Sequence, residues 1–172
     1  HCPALYHTQC HRKCGRFHQE LMSKKPKEVC IIQTRMGSSR LHGKVLLPLV
    51  GKPVVLHDID RVLRVPLIDE VVIATTTKLE DDVIVQTVTG YHPRVFVYRG
   101  LENDVLDRYY QAAKERNADV VVRITSDCPL IDPGVTNATI QLFLDEKNLD
   151  YASNVLHARK FPRGLDTEVV AF

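Results

Sequence analysis

Between Glu28 and Gln33 the chain is apolar without a break (EVCIIQ), and it then runs into a polar loop containing glycine. A short apolar run closed by such a loop predicts a strand buried on both faces. The pattern returns at 70–75 (EVVIAT) and 119–124 (DVVVRI). Residues 53–64 (PVVLHDIDRVLR) follow a different period. Val55, Ile59, Val62 and Leu63 share one helical face, and Pro53 sits at the N1 position. Residues 80–87 begin with acids suited to a helix N-terminus. Residues 94–98 (RVFVY) alternate as an exposed or edge strand does. Residues 103–116 (NDVLDRYYQAAKER) predict a helix capped by Asn103, and residues 133–146 a helix capped by Asp132.

Strands alternating with helices imply βαβ units around a mostly parallel sheet with helices on both faces. Ligands of such sheets bind at the carboxyl ends of the strands. Here those ends are the loops 34–44, 75–79 and 125–130, and all three are polar.

The 172 residues, 44% of them hydrophobic, suffice for one domain with a real core. Gly, Pro and charge fractions are ordinary, which excludes disordered and collagen-like classes. No apolar run approaches the roughly 20 residues that span a bilayer, so a soluble, cytoplasmic protein without membrane partners is expected.

The net charge of +2 resides in residues 1–21, where Arg12, Lys13 and Arg16 outnumber Glu20. The remainder is formally neutral, which argues against a nucleic-acid binder acting through bulk electrostatics. Locally the picture changes. No acid stands between Glu28 and Asp58, whereas Arg35, Arg40, Lys44 and Lys52 do. That concentration of positive potential suits a small polyanion.

Residues 1–21 hold four of the eight His and three of the five Cys. A metal site from Cys10, Cys14 and nearby His is one reading, but C-x3-C with scattered His matches no zinc framework. No apolar stretch fits a signal peptide. With Met22 opening a plausible natural start (MSKKPKEV), residues 1–21 are expected to be an extension outside the fold, and residues 22–172 the domain. Cys30 and Cys128 are expected as free thiols, Cys30 buried in the first strand.

The loop after the first strand reads RMGSSRLHGK. A P-loop needs four residues between its glycines and a hydroxyl after its lysine. Gly37 and Gly43 enclose five, and Val45 follows Lys44. The G-x-G-x-x-G dinucleotide fingerprint is absent too. What remains is a loop where Gly37 and the serines let backbone amides approach a phosphate. Arg35 and Arg40 offer planar forks to its oxygens, and Lys44 offers a point charge. The plain alternative is a solvated basic loop.

The stretch IIQTRMGSSRLHGKVLLPLVGKPVVLHDIDRV resembles the opening of the sugar cytidylyltransferases, in particular the group labelled spore coat polysaccharide biosynthesis protein F. The segments IDEVVIATTT, EDDVI, RGLENDVLDRYYQAAKERNADVVVRITSDCPLIDP and FPRGLDTEV continue the resemblance in order, over about residues 28–172. It implies a nucleotide-diphospho-sugar transferase (GT-A, Rossmann-like) α/β fold. The implied activity is transfer of CMP from CTP to a sugar acid, releasing pyrophosphate, for surface polysaccharide.

By resemblance, Arg35, Gly37, Ser38, Arg40 and Lys44 hold the triphosphate, with Arg35 and Lys44 also acting in catalysis. Thr75 and Thr76 approach the cytidine, Asp127 holds Mg2+, and Arg123 and Asp166 lie near the sugar. Two departures stand out: His42 where relatives usually carry Pro, and Ser126 where they usually carry Gly.

Each assignment has a bland counterpart. Asp127 precedes CPLIDP and fits a turn. Arg123, inside a strand, needs a ligand or a structural partner such as Asp166. The Tyr109–Tyr110 pair fits helix packing, His57 a helix surface, and the acids at 80–82 a solvated helix start. The resemblance also implies a longer domain, with a further metal carboxylate and a dimer-contributing segment. The chain is therefore expected to be incomplete at its C-terminus, and a homodimer is among its expected partners. Two rival readings stand: a glycosyltransferase on the same fold, or a non-catalytic nucleotide-binding fragment. The first wants Asp-x-Asp at a strand end, but Asp58 and Asp60 fall within a helix.

Overall fold

The structure, a computed structural model, describes residues 7–9, 25–38, 40–146, 148–155 and 160–172. Its strands are β1 (His7–Gln9), β2 (Glu28–Gln33), β3 (Pro48–Leu49), β4 (Lys52–Pro53), β5 (Glu70–Thr76), β6 (Val95–Gly100), β7 (Val120–Thr125), β8 (Tyr151–Ser153) and β9 (Glu168–Ala171). Its helices are α1 (Val54–Val62), α2 (Asp82–Val88), α3 (Val105–Glu115) and α4 (Pro133–Asp145).

Seven strands form one sheet in the order β1-β8-β9-β7-β2-β5-β6, while β3 and β4 make a separate ribbon. The centre is parallel: β2 pairs with β5 and β7, and β5 with β6. On the β7 side, β9, β8 and β1 are added antiparallel in turn.

The uninterrupted apolar strands are explained by cover on both faces. Cys30, Ile32, Val71, Ile73, Val122 and Ile124 point to one side, into a core completed by Val55, Ile59 and Val62 of α1, Ile84 and Val88 of α2, and Ile140 and Phe143 of α4. Val29, Ile31, Val72, Ala74 and Val121 point to the other, where α3 lays Ala112 and Ala113 against them. Two alanines let that helix approach the strands closely. Beside α3 the same face opens into a concavity of 460 Å³ lined by Leu106, Tyr110, Arg123 and Phe172 among others.

The expected elements form, with shifted ends. Pro53 precedes the first residue of α1 rather than occupying N1. The cap of α3 is Asp104, not Asn103; its carboxylate accepts the Asp107 amide at 2.8 Å. A charged acceptor complements a helix N-terminus better than an amide does. Asp132 caps α4 as expected, accepting from Val135 N at 2.9 Å. The strand expected at 94–98 is β6, at the sheet edge. Cys30 and Cys128 are buried free thiols.

One expectation needs correcting. Within the extension, His7–Gln9 pair with Tyr151–Ser153 as an edge strand, so these three residues belong to the sheet. The Cys10–Cys14 reading, Met22 and the rest of residues 1–21 lie outside the described residues. No helix among the described residues is long and apolar enough to cross a membrane.

Candidate active site

The ladder between β2 and β5 ends where Thr34 N donates to Ala74 O at 3.0 Å. The chain then leaves the sheet and closes on a single peptide. The Met36 carbonyl accepts from Ser38 N at 2.8 Å and from Gly43 N at 3.0 Å. Gly43 has φ 66, and a Cβ there would meet the Met36 methyl at 3.0 Å, so glycine is favoured. Loop 36–43 is thus closed on the Met36 carbonyl, and His42 is exposed. The closure also changes one expectation. The Ser38 amide is spent inside the loop, so Ser38 offers a ligand its hydroxyl, which accepts from Leu41 N at 3.4 Å.

From this loop Arg35, Ser38, Arg40 and Lys44 line a cleft of 230 Å³ at the carboxyl ends of β2 and β7; the opposite wall is Thr125, Ser126 and Asp127. Ser126 is buried and donates its amide to Gln33 O at 3.3 Å, which ties that wall to β2. Lys44 donates to Asp127 across the cleft. Burial opposes the Asp127 charge, but hydrogen bonds from Lys44 and Thr125 hold the carboxyl below the usual range. At the outer end, Glu102 accepts from Arg35 at 3.2 Å and from Lys78 at 2.5 Å. Arg108, buried, fixes the Glu102 segment by donating to Leu101 O at 2.6 Å.

Behind the cleft lies an unexpected group. Asp58 is fully buried on α1, and neither oxygen makes a hydrogen bond of ordinary geometry. Burial, then the nearby Asp127 charge, pushes its carboxyl up to about 8, and the Cys128 backbone tempers the shift.

Of the expected phosphate residues, Arg35, Ser38, Arg40 and Lys44 therefore converge with Asp127, whereas Gly37 does not line the cleft. Thr75 and Thr76 do not line this cleft; both are buried at the end of β5. Arg123 faces the α3 concavity instead. It pairs with Glu168, its cross-strand neighbour, in place of Asp166. Asp166 does not line the cleft; its charge is the weakest of the influences that raise the Cys128 thiol, burial being the main one. His57 bonds Leu49 O at 2.7 Å. Of the tyrosine pair, Tyr109 packs from α3 onto the sheet as expected, while Tyr110 is exposed at the concavity. Asp81 was expected in a solvated helix start but is 1% exposed, and its carboxylate accepts from backbone amides of the loop after β2 and of the end of β5. Asp81 and Glu102 were both missed as site residues. Nothing local marked either one; only the juxtaposition of β2, β5 and β6 brings them to the loop.

On this wall Asp127 is the carboxylate that could hold a divalent cation. Magnesium takes one or two carboxylates and completes its shell with water and phosphate oxygens. Asp127 is part-exposed at the cleft and held ionised, although among the described residues no group of three or more His, Cys, Asp or Glu gathers for a metal.

The model of the cytidylyltransferases matches residues 29–171. The chain belongs to the cytidylyltransferase family. All cleft residues and Asp166 fall within the matched span. Among curated relatives, the chain is 38% identical over 144 residues to the spore coat polysaccharide biosynthesis protein SpsF of Bacillus subtilis, covering 81% of this chain and 57% of that one. It is 36% identical over 110 residues to the 3-deoxy-manno-octulosonate cytidylyltransferase of Geobacter sulfurreducens, covering 64% and 42%. A solved cytidylyltransferase from Leptospira borgpetersenii superposes with TM-score 0.80 at 35% identity, over 85% of this chain and 60% of that one. The chain thus spans about half the length of the curated relatives it matches.

Proposed function

We propose that this chain carries the CTP-binding half of an enzyme that transfers CMP from CTP to a sugar acid, releasing pyrophosphate, in the cytoplasm and for surface polysaccharide. The observation that carries the reading is the convergence of Arg35, Ser38, Arg40 and Lys44 opposite Asp127. Family membership supports it, as does the 3-deoxy-manno-octulosonate cytidylyltransferase among the relatives.

The chemistry follows from the charges. A sugar hydroxyl attacks the α-phosphorus in line; the bond to the bridging oxygen breaks, pyrophosphate leaves, and the hydroxyl proton is lost. Such a reaction asks the protein for position and charge stabilisation. Lys44 leaves Asp127 to hold the leaving phosphates, and the forks of Arg35 and Arg40 orient them. Ser38 donates its hydroxyl to a phosphate oxygen. Asp127 would hold Mg2+, which when bound neutralises charge on the phosphate oxygens. Asp166 is assigned to the sugar, and Thr75–Thr76 to the cytidine side. Arg123, engaged by Glu168, could support the sugar only from the α3 face.

Isothermal titration with CTP, ATP and a UDP-sugar tests the reading. CTP-selective binding strengthened by Mg2+ is expected. UDP-sugar binding instead would favour a glycosyltransferase, and silence with all three would leave a non-catalytic domain. Arg40→Ala should weaken CTP binding about tenfold or more, the loss of a charge-assisted contact. Unchanged affinity would remove the loop from the site. Glu102→Gln should act the other way, tightening CTP about two- to fivefold by releasing Arg35, as fits a weak exposed pair. Weaker binding would mean that Glu102 supports Arg35 rather than restraining it.

A further inference from the structure

Asp81 stands at the N-cap of α2 but makes no side-chain cap there. An aspartate at that position ordinarily accepts from its own helix. Here the carboxylate turns back. Oδ1 accepts from Met36 N at 2.7 Å, and Oδ2 from Thr76 N at 3.3 Å and from the Thr76 hydroxyl. That hydroxyl accepts in turn from Lys78 N at 3.2 Å.

The position of these bonds matters. The β2–β5 backbone ladder ends at Thr34. Met36 lies beyond it, so no strand holds the loop to the sheet. Asp81 makes that connection, and it does so through the one peptide whose carbonyl closes loop 36–43 on Ser38 and Gly43. Arg35 and Gly37 flank this peptide. Its burial, at 1% exposure, shields both bonds from water.

We infer that Asp81 is a positioning residue, whose buried carboxylate locks the glycine loop to the end of β5 and so aims Arg35, Ser38, Arg40 and Lys44 at a triphosphate. The inference rests on the triphosphate role proposed for the loop. It also links the phosphate side of the cleft to Thr76, on the side assigned to the base.

The test compares the whole chain with Asp81→Ala, Asp81→Asn and Val88→Ala. Val88 is buried in α2 and touches no loop bond, so its variant measures general loosening. Inorganic tripolyphosphate serves as probe, because it sees only the phosphate loop, and hydrogen exchange follows the Ser38 and Gly43 amides without ligand. Asp81→Ala should lose about tenfold or more in tripolyphosphate affinity, as buried acceptor loss implies. Asp81→Asn keeps the acceptor for Met36 and should stay within about threefold. The two loop amides should exchange faster in Asp81→Ala than in Val88→Ala.

Unchanged exchange and unchanged affinity in Asp81→Ala would overturn the inference. So would equal losses in Val88→Ala at matched melting temperature. If no variant and no wild-type protein binds tripolyphosphate or CTP, yet Asp81→Ala alone frees the loop amides, the anchoring holds and the nucleotide reading fails.

Discussion

Asp127→Asn is expected to abolish the effect of magnesium on CTP binding, and to strengthen binding when magnesium is absent. Without metal, Asp127 sets a negative charge beside the triphosphate and occupies Lys44. The asparagine removes that charge and frees the cation. Two unit charges about 4 Å apart interact by about 4 kcal/mol at an effective dielectric of 20, and solvent at this part-exposed wall reduces that. A gain of about tenfold in metal-free affinity is a conservative reading of what remains. With magnesium the order reverses, because the variant lacks the carboxylate that would hold the ion. Titrations of CTP in chelator and in excess magnesium, on both proteins, give the ratio directly. A variant that kept the wild-type magnesium enhancement would take Asp127 out of the metal site.

How far this arrangement was legible in the sequence depends on the range of the contact. The central strands could be read from EVCIIQ and EVVIAT because burial on both faces leaves an apolar run. The α4 cap could be read because Asp132 and Val135 are three residues apart. The phosphate cations share one loop, so a count between Gly37 and Gly43 was enough to exclude a P-loop. Contacts that depend on strand order left no such trace. Asp81 meets Met36 across 45 positions and Glu102 meets Arg35 across 67. Nothing near either acid distinguishes it from a solvated one. Arg123 was correctly seen to need a partner, but the choice between Asp166 and Glu168 was made by an antiparallel register invisible in the pattern of β9. Asp58 was placed only within a helix, and nothing in the pattern showed that it lies on the buried side.

That buried carboxyl yields the second large effect: Asp58→Asn should stabilise the protein increasingly as pH rises from about 5 to 8. In the folded chain Asp58 keeps its proton up to about 8, whereas an unfolded aspartate releases it near 4. Between those values the folded state binds more protons, so wild-type stability falls as pH rises. Each unit of difference corresponds to about 1.4 kcal/mol, so a few kcal/mol are at stake across the window. Asparagine has nothing to ionise and escapes the loss. Glu28, raised to about 7 by burial and then by Asp69, adds a slope of the same sign that ends near neutrality. The slope left between pH 7 and 8 is therefore assigned to Asp58. Cys30 and Cys128, both raised chiefly by burial, act only above the ordinary thiol range. Asp60, Asp69 and Glu70, all lowered, lose their contributions only in acid, below the window. Urea denaturation of wild type and variant at pH 5, 7 and 8 separates these terms. The two proteins should be closest at pH 5 and furthest apart at pH 8. Parallel curves, or a variant that is the less stable at pH 8, would mean that Asp58 is ionised in the folded chain and held by a stronger partner than the Cys128 backbone.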